Sequence, residues 1–295
     1  MKKIKAIWEL MRLEHGVMIF LGILIGSVIA LKGQALPNLK NFVFTFLTAL
    51  FLEASTFALN DYFDLDIDKK NNRTDRPLVR GDLKPNSAII IFAILFPLGI
   101  ICSYFVNMTC FLIALFTAIF AILYDTHMKK VKLVGNFYIA YVMAIPFIFG
   151  GAAVLESNAF SLSITPSIFI IALIAFLAGS GREIMKDVQD FSGDREKGVR
   201  SFPRYIGTYK SSLIAAIFYL MAIILSFIPF IYENFNIYHR NIYYISIIII
   251  TDVMLLITAL KLITDKKLNL KSYRKLTLVA IFVGLVGFLV GALVS

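Results

Sequence analysis

Charged residues are scarce in this chain of 295 residues, where they make up 16% of the sequence against 59% hydrophobic residues. Together with a mean hydropathy of +0.81, this scarcity excludes an ordinary soluble domain. The sequence instead has repeated apolar runs of about twenty residues, the length that a helix needs to cross a hydrocarbon core of ~30 Å. An all-α membrane protein with many spans is therefore predicted.

Cysteine is also nearly absent, since the chain has only Cys102 and Cys110. Both fall in apolar segments, where a buried free thiol is expected, so neither a disulfide framework nor a cysteine-ligated metal site is predicted. A cleavable signal peptide is not expected either, because Glu9 and Arg12 interrupt the basic N-terminal segment before the first apolar run. Residues 2–14 are instead predicted to form an amphipathic helix at the membrane surface.

Nine apolar segments are long enough to span the membrane. They cover residues 15–31, 41–60, 87–106, 109–125, 133–154, 166–186, 211–231, 242–262 and 275–294. We interpret the whole chain, 1–295, as a single polytopic domain whose two termini lie on opposite sides, because the number of spans is odd.

Positive charge is distributed unequally along the chain. All but Lys32, Lys40 and Arg240 of the 29 Lys and Arg residues lie in the N-terminal segment or in the loops after spans two, four, six and eight. Because such residues are retained on the cytoplasmic side, these parts are predicted to be cytoplasmic and the C-terminus external, in the cell membrane. This pattern explains the net charge of +10 without nucleic acid as a partner, and membrane lipids are the expected surroundings.

The first dense run of charge, residues 60–81, follows span two and is NDYFDLDIDKKNNRTDRPLVRG. If it is helical, Asn60, Asp64 and Asp68 fall at i, i+4 and i+8 and line one face. Oxygen ligands on one face suit Mg²⁺, which takes one or two carboxylates and completes its coordination with water and substrate phosphate. The bases that follow suit such phosphates. The alternative is a solvated loop between two spans.

The second run of charge, residues 182–207, follows span six and is REIMKDVQDFSGDREKGVRSFPRYIG. Asp187, Asp190 and Asp194 fall at i, i+3 and i+7, again on one helical face. Four bases follow them: Arg195, Lys197, Arg200 and Arg204. The same layout twice on one predicted side favours a joint site over two solvated loops, and suggests a faint repeat with halves 1–130 and 131–274.

Two facing clusters of this kind would hold divalent metal around a diphosphate and neutralise the charge of the leaving group. Breaking a carbon–oxygen bond beside the diphosphate leaves a carbocation, which an apolar cavity and aromatic faces stabilise. The 27 Phe and 13 Tyr residues supply such faces. The pattern therefore points to an isoprenoid diphosphate, with its head at the cytoplasmic surface and its tail between helices.

The motifs NDYFDLDID and DVQDFSGD, with RPLVRG after the first, resemble the UbiA superfamily of intramembrane prenyltransferases. The resemblance covers the span count, the loop positions and both motifs, and so nearly the whole chain. It implies a nine-helix bundle around a central cavity, with two Asp-rich motifs on the cytoplasmic side. It also implies Mg²⁺ as cofactor and transfer of a prenyl group from its diphosphate to a lipophilic acceptor.

The metal ligands implied by the resemblance are Asn60, Asp61, Asp64, Asp68, Asp187, Asp190 and Asp194. The variable spacing of the second motif leaves Asp187 and Asp190 as alternatives for one position. Of these carboxylates, the predicted catalytic set is Asp64, Asp68, Asp190 and Asp194. Asp66 and Asp75 lie off the ligand face and are expected to be solvated.

Substrate binding is expected from Asn60 and from bases after the motifs. Arg73 and Arg76 are candidates for the diphosphate, although Arg76 equally suits a turn before Pro77. The family carries a Tyr and a Lys after span four, and YDTHMKK offers Tyr124 and Lys129, with Lys130 as a substitute for the latter. Tyr124 either orients the diphosphate or caps its span.

A few polar residues lie in or beside spans, where ionisable groups are expensive and usually face a cavity. Arg12 and His15 are candidates for binding an anionic acceptor, with headgroup anchoring as the alternative. Glu53, seven residues before Asn60, is expected to hydrogen-bond in the cavity or pair with another span. For Asp252 a packing or hydrogen-bond role is favoured over catalysis.

The acceptor is the least determined part of the prediction. The first motif resembles archaeal members, and the abundance of Ile and Lys suggests a thermophile or an AT-rich genome. These features favour transfer of a geranylgeranyl group to the glycerol hydroxyl of geranylgeranylglyceryl phosphate, with an aromatic acceptor of the hydroxybenzoate or dihydroxynaphthoate type as the alternative. A cation-coupled transporter is disfavoured, because transporter carboxylates lie near the bilayer midplane.

Overall fold

The computed structural model describes residues 2–33, 37–70, 72–154, 165–196, 198–265 and 268–294. The α-helices within these ranges are α1 (Lys2–Met11), α2 (Gly16–Ala30), α3 (Leu39–Phe63), α4 (Leu65–Lys70), α5 (Pro77–Arg80), α6 (Pro85–Tyr104), α7 (Met108–Thr126), α8 (Lys132–Ala153), α9 (Pro166–Glu196), α10 (Phe202–Ser226), α11 (Ile228–Ile231), α12 (Ile242–Thr264) and α13 (Leu270–Leu293).

Among the described residues, 9 helices are long and apolar enough to cross a membrane. They are α2 with the turn before it, α3, α6, α7, α8, α9, α10 continued by α11, α12 and α13. The predicted all-α, multi-pass architecture is therefore confirmed, since each of these helices lies over one predicted span.

The predicted ends of spans six and seven differ from the structure. Helix α9 does not stop at residue 186 but continues through the second acidic run as a helix of 31 residues. At about 1.5 Å per residue it is far longer than a ~30 Å hydrocarbon core requires, so its polar end extends past the apolar part. Helix α10 starts before the predicted span, with Pro203 in its first turn, and is interrupted at Gly207, where φ is 82°.

The chain folds into two compact units. Residues 2–20 and 38–127 form the first unit, which contains α1 and α3 to α7 and carries the first acidic run. Residues 21–33, 128–154 and 165–294 form the second, which contains α8 to α13 and carries the second acidic run. The predicted repeat halves, 1–130 and 131–274, stay a prediction.

The core of the first unit holds the N-terminal helix in place. Ala6 and Leu10 of α1 are buried against Ala58 of α3, together with Leu65 of α4 and Leu78 of α5. The N-terminal segment is helical, as predicted, and its side with Ala6 and Leu10 is buried in this cluster, whereas Ile4 and Trp8 are exposed. This packing fixes the position of the residue that follows α1.

In the second unit, α8 packs closely against the second half of α2. A Cβ added to Gly26 would lie 2.0 Å from the carbonyl oxygen of Phe147, and one added to Gly150 would lie 2.1 Å from that of Ile23. The Ser27 hydroxyl donates a hydrogen bond of 2.9 Å to the Gly150 carbonyl. Small residues thus let two apolar helices approach as membrane helices commonly do.

Candidate functional site

The first acidic cluster lies where α3 ends and α4 begins. Asp64 caps α3, yet its amide donates to the Asn60 carbonyl at 3.0 Å and its own carbonyl accepts from Asp68 at 2.8 Å. Helical spacing is therefore kept across the break. Asn60 and Asp64 are half-buried, Asp68 is buried and Asp66 is exposed, in agreement with a shared face for the first three.

Asp61 is the most deeply buried carboxylate of this cluster, with 2% of its side chain exposed. Its Oδ1 accepts hydrogen bonds from Arg12 Nη2 at 2.6 Å and from Arg76 Nη1 at 3.0 Å. Two guanidinium groups thus compensate one carboxylate. Charge-assisted contacts of this kind are the strong ones, and they hold the arginines as firmly as they hold the aspartate.

Arg12 reaches Asp61 because of the turn that follows α1. Its backbone is in the left-handed region, at φ 50° and ψ 45°, which is uncommon for residues other than glycine. Its guanidinium lies 4.3 Å from the ring centroid of Phe57, which stands four residues before Asp61 on α3. This buried setting favours a place in the site over the headgroup anchoring that was considered for Arg12.

Arg76 occupies the turn that its sequence position suggested, and its side chain also reaches the first acidic cluster; its binding of a diphosphate stays a prediction. It is the residue before Pro77 at the start of α5, and its side chain contacts Asp61. Its Nε is buried without a hydrogen-bond partner in the described residues, and lies 3.8 Å from both Asp68 Oδ2 and Asp75 Oδ2. One guanidinium N–H therefore points into the cluster with its hydrogen-bonding capacity unused.

Arg73 lies further out on the surface. Its Nε and Nη2 donate to the two oxygens of Asp75 at 2.9 and 2.8 Å, and both side chains are exposed. The hydrogen bonds from Arg73 lower the pKa of the Asp75 carboxyl. Asp75 is solvated as predicted. Because exposed ion pairs contribute little to stability, Arg73 can exchange Asp75 for another anion at little cost.

The second acidic cluster lies on the continuous helix α9 and faces α8. Lys132 Nζ lies 3.3 Å from Asp187 Oδ1 and donates to Asp194 Oδ2 at 2.6 Å. Asn136 Nδ2 donates to Asp187 Oδ2 at 2.7 Å. Asp187 is buried, whereas Asp190 and Asp194 are half-buried. Of the aspartates predicted to share a helical face, Asp187 and Asp194 thus contact α8.

Lys132 and Asn136 were not among the predicted site residues. The signal that could have found them is a pair of polar side chains at i and i+4 on the first turns of an otherwise apolar span. That spacing places both on one face of α8, toward α9. The start of α8 is also tied to the segment after α9, since the Arg200 amide donates to the Lys130 carbonyl at 3.0 Å.

The other predicted positions are located as follows. Tyr124 lies in the last turn of α7 and is half-buried. Lys129 is half-buried in the short 3-10 turn Met128–Lys130, and Lys130 is exposed. Lys197, counted in the second basic run, lies outside the described residues.

Two acidic residues inside the spans, Glu53 and Asp252, lie beside polar side chains of other helical segments. His15 Nδ1 lies 3.9 Å from Glu53 Oε1, so that Glu53 faces another span, one of the two alternatives predicted for it. The carboxylate of Asp252 accepts a hydrogen bond of 2.7 Å from the Ser226 hydroxyl. The hydrogen-bond role favoured for Asp252 thus agrees with the structure.

The first cluster has the chemistry of a magnesium site. Within the described ranges, no three His, Cys, Asp or Glu side chains converge closely enough to hold a metal by themselves. Mg²⁺ does not require three protein ligands, because it takes one or two carboxylates and fills its remaining coordination positions with water and phosphate. Burial raises the pKa of Asp68, and the nearby charge of Asp64 adds to the effect. A bound divalent cation would offset both the burial of the Asp68 carboxylate and the repulsion from Asp64, so these oxygen donors fit Mg²⁺.

Comparison with known proteins points to one family. The model of the UbiA prenyltransferase family matches residues 19–281. A digeranylgeranylglyceryl phosphate synthase from Archaeoglobus fulgidus is 43% identical over 98% of this chain and 96% of its own length. A solved structure concerned with digeranylgeranylglyceryl phosphate synthase in membranes is 33% identical, covers 99% of both chains and has a TM-score of 0.79.

A more distant structure, a UbiA homologue from Archaeoglobus fulgidus bound to GPP and Mg²⁺, is 16% identical and shares the fold, with a TM-score of 0.56 over 96% of this chain and 99% of that one. The family match covers most of the sequence, including both acidic clusters. The chain therefore belongs to the UbiA prenyltransferase family.

Proposed function

We propose that this protein transfers a geranylgeranyl group from its diphosphate to the glycerol hydroxyl of geranylgeranylglyceryl phosphate. The observation that carries this proposal is the 43% identity, over 98% of the chain, to a relative named digeranylgeranylglyceryl phosphate synthase. In this reaction the bond between the prenyl C1 and the diphosphate oxygen breaks, an ether bond forms to the glycerol oxygen, and the hydroxyl proton and diphosphate are released.

Two sets of residues would hold Mg²⁺ and the diphosphate. They are Asn60, Asp64 and Asp68 in the first unit, and Asp187, Asp190 and Asp194 in the second. When bound, Mg²⁺ would neutralise the charge that builds on the leaving diphosphate. The oxygen donors of the first cluster support this role, as does the relative that binds GPP and Mg²⁺. For Asp61, the two guanidinium partners favour holding Arg12 and Arg76 over contact with the metal.

The diphosphate oxygens would be bound by the bases of the clusters. The unused Nε–H of Arg76 is oriented for an acceptor in the first cluster. Arg73 would exchange its exposed contact with Asp75 for a phosphate oxygen, which guanidinium groups bind well. Lys129 would add positive charge, and Tyr124 a hydroxyl donor. Arg12, fixed by Asp61 and Phe57, would keep a permanent positive charge beside the cluster.

The proposed orientation in the membrane rests on the distribution of Lys and Arg. Residues 60–81 and 182–207 would lie on the cytoplasmic side together with the N-terminus, and the C-terminus outside. A charged diphosphate supplied from the cytoplasm would then reach either cluster without crossing the bilayer, while its isoprenoid tail enters the apolar region.

A panel of acceptors tests the proposed reaction. Labelled geranylgeranyl diphosphate is supplied with geranylgeranylglyceryl phosphate, a hydroxybenzoate or a dihydroxynaphthoate, each with Mg²⁺ and with a chelator. We expect label in the phosphorylated glycerol ether only, lost with the chelator and restored by added Mg²⁺. Preferred labelling of an aromatic acceptor would assign the protein to quinone synthesis, and transfer that is insensitive to the chelator would remove the metal from the mechanism.

A further inference from the structure

A separate basic cluster joins α9 and α13, and its member on α9 lies on a different face from Asp187. Arg182 precedes Asp187 by five positions, a rotation of about 140° around a helix. Its Nη1 donates to the Arg274 carbonyl at 2.7 Å and to the Thr277 hydroxyl at 3.1 Å, both on α13. Arg274 Nη1 in turn donates to Gln189 Oε1 on α9 at 3.0 Å. Two arginines from two helices thus meet within the second unit.

The acceptors of these two arginines are all neutral groups: a backbone carbonyl, a hydroxyl and an amide. Glu183, the neighbouring acid on α9, is paired with Lys186 at 3.2 Å. Within the described residues neither guanidinium has a carboxylate at ion-pair distance, and Arg274 Nε is buried without a hydrogen-bond partner. The cluster therefore holds two positive charges that have no ion-pair partner among the described residues.

This situation differs from that of the other partly buried bases. Arg12 and Arg76 share Asp61, and Lys132 lies between Asp187 and Asp194. Two partly buried guanidinium groups are unfavourable without an anion to pair with them. In membrane-spanning helices, ionisable groups generally mark a binding site. Because a guanidinium binds phosphate through two parallel N–H groups, two neighbouring arginines, of which Arg274 has a buried unpaired N–H, suit a phosphate monoester.

We propose that Arg182 and Arg274 bind the phosphate of the lipid acceptor and thereby select a phosphorylated acceptor over an unphosphorylated one. This inference rests on the proposed function, which supplies an acceptor that carries a phosphate monoester. The headgroup of a bulk anionic phospholipid offers the same phosphate chemistry, so the experiment separates the two sources.

The test compares two acceptors that differ only in this group. The full-length protein, in nanodiscs of neutral lipid with Mg²⁺, is assayed with geranylgeranylglyceryl phosphate and with geranylgeranylglycerol. Arg274→Gln is the main variant, because among the described residues the side chain of Arg274 donates a hydrogen bond only to Gln189. Lys275→Gln is the matched control, since it removes one positive charge from the exposed neighbouring position of α13.

For Arg274→Gln we expect the KM for the phosphorylated acceptor to rise about tenfold or more, as for loss of charge-assisted hydrogen bonds. The KM values for geranylgeranyl diphosphate and for geranylgeranylglycerol should not change, and Lys275→Gln should behave as the wild type. Arg182→Lys, which keeps the charge but loses the paired N–H groups, should show part of the same rise. Thermal unfolding of each variant checks that the fold is intact.

Three results would overturn the inference. An equal loss with both acceptors would mean a structural role, and a higher KM for the diphosphate would place the arginines with the other substrate. A loss seen only in nanodiscs of anionic phospholipid would assign the site to bulk lipid. A wild-type protein that uses neither acceptor would instead refute the proposed function itself, so the two failures are distinguishable.

Discussion

The two acidic clusters compensate their buried charge in opposite ways. In the first, two guanidinium groups converge on a single buried carboxylate, Asp61. In the second, one ammonium group, that of Lys132, lies between two carboxylates, Asp187 and Asp194. The same sequence layout of aspartates followed by bases thus leads to different electrostatics. The reason is that the basic partners come from other parts of the chain, Arg12 and Arg76 in the first cluster and Lys132 in the second.

The helices that carry the clusters differ as well. The first cluster is divided by the break between α3 and α4, and its arginines are positioned by α1 and α5. The second cluster lies on the unbroken α9 and needs only the start of α8. The first should therefore tolerate loss of one basic partner better than the second, whereas both should depend on their aspartates for activity.

The largest effect is expected from removing an aspartate on the ligand face. Asp64→Ala should lower prenyl transfer at least about 100-fold, because electrostatic stabilisation of the leaving group is commonly worth that much. Thermal unfolding should change little, since Asp64 is half-buried and not part of the apolar core. The measurement is the rate of transfer at saturating Mg²⁺.

Asp66→Ala is the matched control for this variant. It removes the same group two positions away, on the exposed side of α4. Its activity should stay within about threefold of the wild type, as for a solvated side chain. Equal losses in the two variants would mean that charge in the loop matters and not the helical face.

A smaller, structural effect is expected from removing the basic partners. Lys132→Met leaves Asp187 buried without its cation, which should cost about 3 kcal/mol of unfolding free energy. Arg12→Met should cost less, because Arg76 still contacts Asp61. Thermal unfolding in detergent without Mg²⁺ should therefore show a fall of several degrees for Lys132→Met and a smaller one for Arg12→Met.

Lys130→Met serves as the control for this pair, since Lys130 is exposed two residues before Lys132. Its unfolding midpoint should equal that of the wild type. If Arg12→Met proves as damaging as Lys132→Met, the idea that a second cation protects the first cluster is wrong.

The smallest effect is expected at the surface pair of the first cluster. Asp75→Asn removes the partner of Arg73, but both side chains are exposed, and exposed ion pairs contribute little to stability. The unfolding midpoint should stay within error of the wild type at neutral pH. A clear fall in that midpoint would show that residues 72–76 are held by this pair rather than by Arg76 and Pro77.

Much of the molecule was predictable because its signals are local. Apolar runs of about twenty residues gave the spans, and the spacing of Asn60, Asp64 and Asp68 gave their shared face. The spacing of Asp187, Asp190 and Asp194 also gave a helical face, but not one unbroken helix with span six, because a polar helix continuing past an apolar span has no hydropathy signal. The roles of Lys132 and Asn136 were missed because a base or an amide at the start of a span is common. Only their contacts with the aspartates of α9 distinguish them from other such residues.

The sequence by itself determined the class of protein, the family and the residue types of the site. These follow from composition, from the length of the apolar runs and from the spacing of residues in the motifs, all of which can be read along the chain without tertiary contacts. Tertiary structure decided which bases compensate which aspartates. It placed Arg12, 49 positions from Asp61, within 2.6 Å of it, and it brought Arg182 and Arg274 together without a carboxylate partner in the described structure. Such pairings depend on which helix faces pack together, and no local pattern encodes that packing.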